Sequence, residues 1–193
     1  MSPEMEAQAA LARALGPKVV EIEHVPADAI GAAWPIQGVW VARDRVVTAF
    51  FAVAGWAASG QRLQVVAGDR RFEAAVGLQD ARIGLAVLDV PGLGMPPGGP
   101  VAGVAGAKPL LLLHAVQLGG LRRVPLVGFA DGERAYYLKA VGAPLPLGAP
   151  LFDGAGRWVS LVGLRSEDPS LAGYVLPADA VRRLLAREVE WLP

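Results

Sequence analysis

What most constrains this chain is a recurring pattern of short Val-, Ile- and Leu-rich runs cut apart by Gly, Asp and Pro. "KVVEIEHV", "GVWVA", "RVVTAF", "RLQVVAG", "RRFEAAVG" and "GLAVLDV" crowd into residues 18–90, and "PLLLLHAV", "LRRVPLVGF", "ERAYYLKAV", "RWVSLVGL" and "AGYVLP" follow between 109 and 177. β-branched residues suit a pleated surface, and turn residues at such close spacing leave no length for helices between the runs. The pattern predicts an all-β fold of antiparallel units, each curled into a barrel or sandwich. "PGLGMPPGGP", residues 91–100, divides the two groups of runs. Proline offers no donor to a strand ladder and glycine weakens one, so this stretch reads as a linker.

Only the ends read as helical. Ser2 can cap a helix, Pro3 suits its first turn, Glu4 and Glu6 favour its positive end, and Gly16 with Pro17 stops it. "PADAVRRLLAREVEWL" sets Val181, Leu184, Leu185 and Trp191 at helical spacing against Arg182, Arg183, Arg187 and Glu190. The predicted layout is an N-terminal helix (1–16), a first β-barrel (17–90), a Pro/Gly linker (91–100), a second β-barrel (101–176) and a C-terminal helix (177–193).

Composition narrows the function. With 193 residues the chain can bury a substantial core. Eighteen Lys and Arg balance eighteen Asp and Glu, so no general basic excess exists to hold phosphate backbones, and nucleic acid is not an expected partner. Cysteine is absent and histidine occurs twice; disulfides, thiolate nucleophiles and cysteine-ligated metals are excluded, and zinc is disfavoured. No metal or other cofactor is expected. Apolar runs fall far short of the roughly 20 residues needed to span a bilayer as a helix, and no charged start precedes an apolar stretch as in a secretory signal. The cytoplasm is the expected location.

Several segments, in order and spacing, resemble the protease domain of the HtrA/Deg-type trypsin-like serine proteases, from Pro17 to Glu188. They are "PKVVEIE"; "VVTAFFAVAG", where that family has Thr-Asn-x-His-Val-Val; "GLAVLDV", where it has Asp-Leu-Ala-Val-Leu; "PLPLGAPLFDGAGRWVSLVGL", where it has Gly-Asn-Ser-Gly-Gly-Pro-Leu before a turn and strand; and "GYVLPADAVRRLL", near its Gly-Phe-Ala-Ile-Pro entry to the last helix. The resemblance implies two antiparallel six-stranded-type β-barrels. A PDZ module commonly follows the family's protease domain; this chain ends at "EVEWLP", and none is expected in it.

Carried over position by position, the resemblance places the general base at Phe51, its orienting carboxylate at Gly84 and the nucleophile at Leu147. None of these side chains can move a proton or attack a carbonyl. The oxyanion-hole amides would be those of Leu147 and Leu145, with Pro146 between them biasing Leu145 toward extended backbone. On this ground the expectation is a pseudoprotease, not an enzyme.

Other polar groups read as structural. His24 is a strand residue and His114 a core or edge group after four leucines. Ser59 and Ser160 lie in no Gly-x-Ser-x-Gly motif. Asp69, Asp131 and Asp153 sit beside glycines in ordinary turn sequences. The two loops at the lost triad are instead apolar, which makes Phe50, Phe51, Trp56, Leu145, Pro146 and Leu147 a candidate binding groove. Such surface is seldom left in water. The sequence leaves three readings open: a binding or scaffold module for a protein or an apolar peptide segment; a homo-oligomer subunit with the groove collapsed into a core; and a serine hydrolase with a relocated site.

Overall fold

The structure is a computed structural model and describes residues 2–25, 35–54, 61–81, 84–101, 112–117, 120–125, 136–137, 145–163 and 174–175. Helix α1 (Pro3–Leu15) begins where Ser2 Oγ accepts the Met5 N–H at 3.3 Å, with Glu4 and Glu6 in its first turn. This is the side-chain capping that leaves fewer amides unsatisfied at a helix start. Gly16 does not end the helix in left-handed backbone; its φ of −49° lets the chain run on into one tight turn, Gly16–Lys18.

Six strands then close a barrel: β1 (Val19–Val25), β2 (Ile36–Ala42), β3 (Arg45–Ala49), β4 (Arg62–Ala67), β5 (Arg70–Asp80) and β6 (Leu85–Asp89), in the spatial order β1-β2-β3-β6-β5-β4. Every pairing is antiparallel, and β4 returns to β1 with Ile22 opposite Val65. Closure removes the exposed edges that an open sheet would present. Strand sequence reports position within this barrel. In β1, Val20 and Ile22 are buried while Glu21 is exposed, and β5 alternates along its whole length, the period-two pattern of strands with one wet face. In β3 the last four residues and in β6 the first four are buried. Both faces are covered there, one by the barrel interior and the other by the second unit, which is why these runs read as continuously apolar.

The stretch 91–100 is tied down. Asp44, at φ 57° in the β2–β3 turn, donates its N–H to the Gly94 carbonyl and accepts the Gly94 N–H on Oδ1 at 2.6 Å. Trp40 Nε1 adds a third bond to the Gly94 carbonyl, and Leu93 is buried against the barrel. Gly94 holds φ at 85°, backbone that glycine adopts without steric cost.

The second unit is a six-stranded sheet: β7 (Leu112–Gln117), β8 (Gly120–Pro125), β9 (Tyr136–Tyr137), β10 (Pro150–Phe152), β11 (Trp158–Gly163) and β12 (Tyr174–Val175), ordered β8-β7-β10-β11-β12-β9. One face buries Ala115, Val124, Leu151 and Val162. The other sends Phe152, Trp158 and Leu161 into the first barrel's cluster, so a continuous core crosses the junction. Helix α1 leans on this second unit: Glu4 pairs with Arg123 of β8, and Leu11 and Leu15 lie against the turn at Gly156. Strand β10 is missing from the runs picked out in the sequence because its three residues sit inside an apolar loop with no alternation to read. The helix expected at 177–193 lies outside the described residues. Among the described residues no helix is long and apolar enough to cross a membrane.

Candidate functional site

The predicted site positions converge at the junction of the two units. Strand β3 ends at Ala49, whose extended backbone turns into a one-turn helix, α2 (Phe50–Val53), a turn not foreseen from the apolar sequence. It is fixed at its start by the Phe50 N–H donating to the Gly84 carbonyl at 2.7 Å, and at its end by Ala54 N–H to the Phe50 carbonyl. Ala52 and Val53 face inward, and Phe51 remains 38 % exposed. The Phe50 and Phe51 rings meet edge to face with centroids 5.3 Å apart, a favoured aromatic geometry. His24 reaches the same turn from β1, its Nε2 lying 3.2 Å from the Ala52 carbonyl. It is the kind of strand histidine the sequence implies. Gly84 sits at φ 73°, a conformation costly for any residue with a Cβ.

From the other side comes the loop Leu145–Ala149. Leu145, Pro146 and Leu147 are all buried. Leu145 packs into the second unit's cluster and Leu147 into the first barrel's, so two residues apart the chain crosses from one core to the other. The crossing is pinned by a parallel bridge of Leu147 with Ile36: Leu147 N–H donates to the Pro35 carbonyl at 3.1 Å, and the Leu147 carbonyl accepts Gln37 N–H at 2.8 Å.

Beneath the bridge lies the chain's single threonine. Thr48 is fully buried and donates its hydroxyl to the Gln37 carbonyl at 2.8 Å. Gly148, at φ 79°, fills the remaining space; a Cβ there would fall 2.2 Å from the Gln37 carbonyl oxygen and 2.3 Å from Thr48 Oγ1. Only a residue without a side chain can pass this close. Thr48, Pro35 and Gln37 escaped the sequence reading. The available signal was a lone hydroxyl at the end of an apolar strand, since a buried hydroxyl needs a partner.

A second polar group lies in the sheet. His114 is 7 % exposed and stands opposite Arg123 on β8 and Phe152 on β10. Burial, and then the Arg123 charge, hold its imidazole below the ordinary range, against a smaller opposing pull from Asp153. Its Nδ1 is buried with no hydrogen-bond partner. Asp153 is itself buried but fully engaged: Oδ1 accepts the N–H groups of Ala155 and Arg157, and Oδ2 accepts Arg157 Nε at 2.7 Å. That is turn chemistry. Trp56, Ser59 and Asp131 lie outside the described residues. Among those described, no cluster of three His, Asp or Glu could hold a metal.

This architecture has known counterparts, although no family model matches the chain. Two curated relatives from Mycobacterium tuberculosis, named serine protease Rv3671c and serine protease MT3772, are each 30 % identical over 171 residues, 78 % of this chain. The chain spans 41 % of the length of these relatives. Among solved structures, the active form of the Rv3671c protease from M. tuberculosis matches at 27 % identity and a TM-score of 0.64, covering 96 % of this chain and 86 % of the other. Deg5 matches in fold at a TM-score of 0.74 and 21 % identity, covering 95 % and 94 %. These findings correct one expectation. Residue chemistry at Phe51, Gly84 and Leu147 predicts a chain that is not an enzyme, whereas the relatives are named serine proteases and one matched structure is an active form, which points to protease activity.

Proposed function

Starting from the trypsin-like fold of the HtrA/Deg type that this chain has, we propose that it acts on polypeptide, taking an extended apolar segment at the junction of its two β units. The observation that carries this reading is the pairing of an exposed aromatic rim with a strand start. Phe51 stands 38 % exposed on a turn anchored to Gly84, while Pro35, also exposed, opens a strand whose Pro35 carbonyl and Gln37 N–H already hold one extended residue, Leu147. Main-chain donors and acceptors spaced in this way recognise any extended chain, and apolar walls select its side chains.

Peptide-bond hydrolysis, the activity named for the relatives, is the second reading. The side chains of Phe51, Gly84 and Leu147 hold no nucleophile or base, so cleavage would draw on groups elsewhere in the chain. One experiment addresses both. The full chain is mixed with fluorescein-labelled, reduced and carboxymethylated α-lactalbumin; binding is read by anisotropy and cleavage by gel electrophoresis, with a fluorophosphonate probe added to mark any reactive serine. Binding that weakens about tenfold in Phe51→Ala, the size of loss typical for a rim aromatic, supports the junction as the site. Cleavage together with a labelled serine establishes the second reading and locates its nucleophile. Absence of both binding and cleavage at about 100 μM protein, a concentration that detects ordinary weak association, removes the proposal.

A further inference from the structure

Resting on the reading that the junction takes polypeptide, we infer that the groove is latched by its own loop: Leu147 occupies the strand position at Pro35–Gln37 that an incoming apolar residue would take, so ligand binding requires the Leu145–Leu147 segment to swing out.

The argument is one of hydrogen-bond accounting. A parallel strand partner uses one carbonyl and one N–H on alternate residues of its neighbour, and Leu147 uses both, donating to Pro35 and accepting from Gln37. The other side of β2 is already paired with β1, Ile22 standing opposite Ile36. No free main-chain site therefore remains at this end of β2.

The loop's own amides are equally committed. Pro146 has no N–H, Leu147 N–H goes to Pro35, Gly148 N–H to the Val162 carbonyl and Ala149 N–H to the Pro146 carbonyl. A substrate carbonyl arriving at residues 146–149 finds no donor in this state. Displacing Leu147 exchanges two backbone bonds for two equivalent ones, so the outcome turns on side-chain burial. The incoming residue opposite Ile36 must match the apolar burial that Leu147, 7 % exposed, gives up. That requirement names the ligand class: an extended segment with a Leu-sized apolar side chain. The swing has a natural limit at Gly148, whose bond to Val162 and close fit against Thr48 fix the loop beyond it.

The absence of cysteine from the chain supplies a clean test. Cα atoms across a strand bridge lie ~4.8 Å apart, within disulfide reach, so Ile36→Cys combined with Leu147→Cys closes the latch when oxidised and frees it when reduced. The same labelled carboxymethylated α-lactalbumin is titrated against both states of the double variant, and the native chain is followed by residue-resolved hydrogen exchange with and without it. The latch predicts binding at least about tenfold weaker in the oxidised state. It also predicts that the probe speeds exchange at the Leu147 amide while leaving Gln37 protected. Equal binding by the two redox states, or unchanged exchange at Leu147 while the probe is bound, overturns the latch and leaves the polypeptide reading standing. Failure of the native chain to bind the probe at all overturns both.

Discussion

The closed barrel and the six-stranded sheet are built from similar apolar strands, yet they treat polar groups differently. Inside the barrel the buried positions are Val, Leu, Ile and Ala, and the one buried hydroxyl, Thr48, lies at the end facing the other unit. The sheet buries His114 and Asp153 as well, beside the arginines of β8 and of the turn after β10. The barrel is thus a self-sufficient apolar body, whereas the sheet and the seam carry the groups whose state depends on partners. A site with adjustable contacts belongs on the second kind of region, because breaking a hydrogen bond or moving a proton is a local event and repacking a barrel core is not.

Substitutions can break or sharpen this contrast. The largest expected loss is at the seam: Gly148→Ala sets a Cβ against the Gln37 carbonyl and Thr48 Oγ1 at a positive φ, and backbone strain plus overpacking together cost about 4 kcal/mol in urea-induced unfolding. A loss under about 1 kcal/mol would mean the seam yields readily and is not the fixed boundary described above. Next come matched core truncations, Leu88→Ala in the barrel and Leu151→Ala in the sheet, both fully buried, each expected to cost about 3 kcal/mol. If the core crossing the junction makes the two units cooperative, either variant shifts one common transition. Two separate transitions would show the units to be energetically independent.

The smallest effect is that of pH. His114 binds its proton less readily in the folded chain than in the unfolded one, because burial and Arg123 oppose the charge. Above about pH 6.5 both states are neutral and nothing changes; below it the unfolded chain takes up the proton first. Stability therefore falls with acid from about pH 6.5 down to the lowered folded value and levels beneath it. His114→Gln should flatten that window in denaturation curves taken across pH, and an unchanged slope would remove His114 as its source.

Much of the architecture is legible in the residues. Alternation in "KVVEIEHV" and "RRFEAAVG" marks strands with one wet face, and the unbroken apolar runs "RVVTAF" and "GLAVLDV" turn out to be strands covered on both. The candidate positions were legible as positions: Phe51, Gly84 and Leu147 lie in segments that contact one another around the junction. Three-residue β10 and one-turn α2 were not legible, because they are shorter than the period that would reveal them. The activity inferred from the three side chains alone was corrected by the relatives.

The order of local decisions was set by sequence alone: where strands start and stop, which faces are apolar, that helix α1 begins at Ser2, and that no thiol or cysteine-bound metal takes part. Those follow from side-chain chemistry acting over a few residues. Tertiary structure alone decided that Leu147 bridges to Ile36, that Asp44 and Trp40 secure Gly94, and that Thr48 meets Gly148 across the seam. These contacts join residues 50 to 111 positions apart, and no local pattern encodes them. They exist because closing the barrel and stacking the sheet against it leave particular backbone groups facing one another with no water to satisfy them.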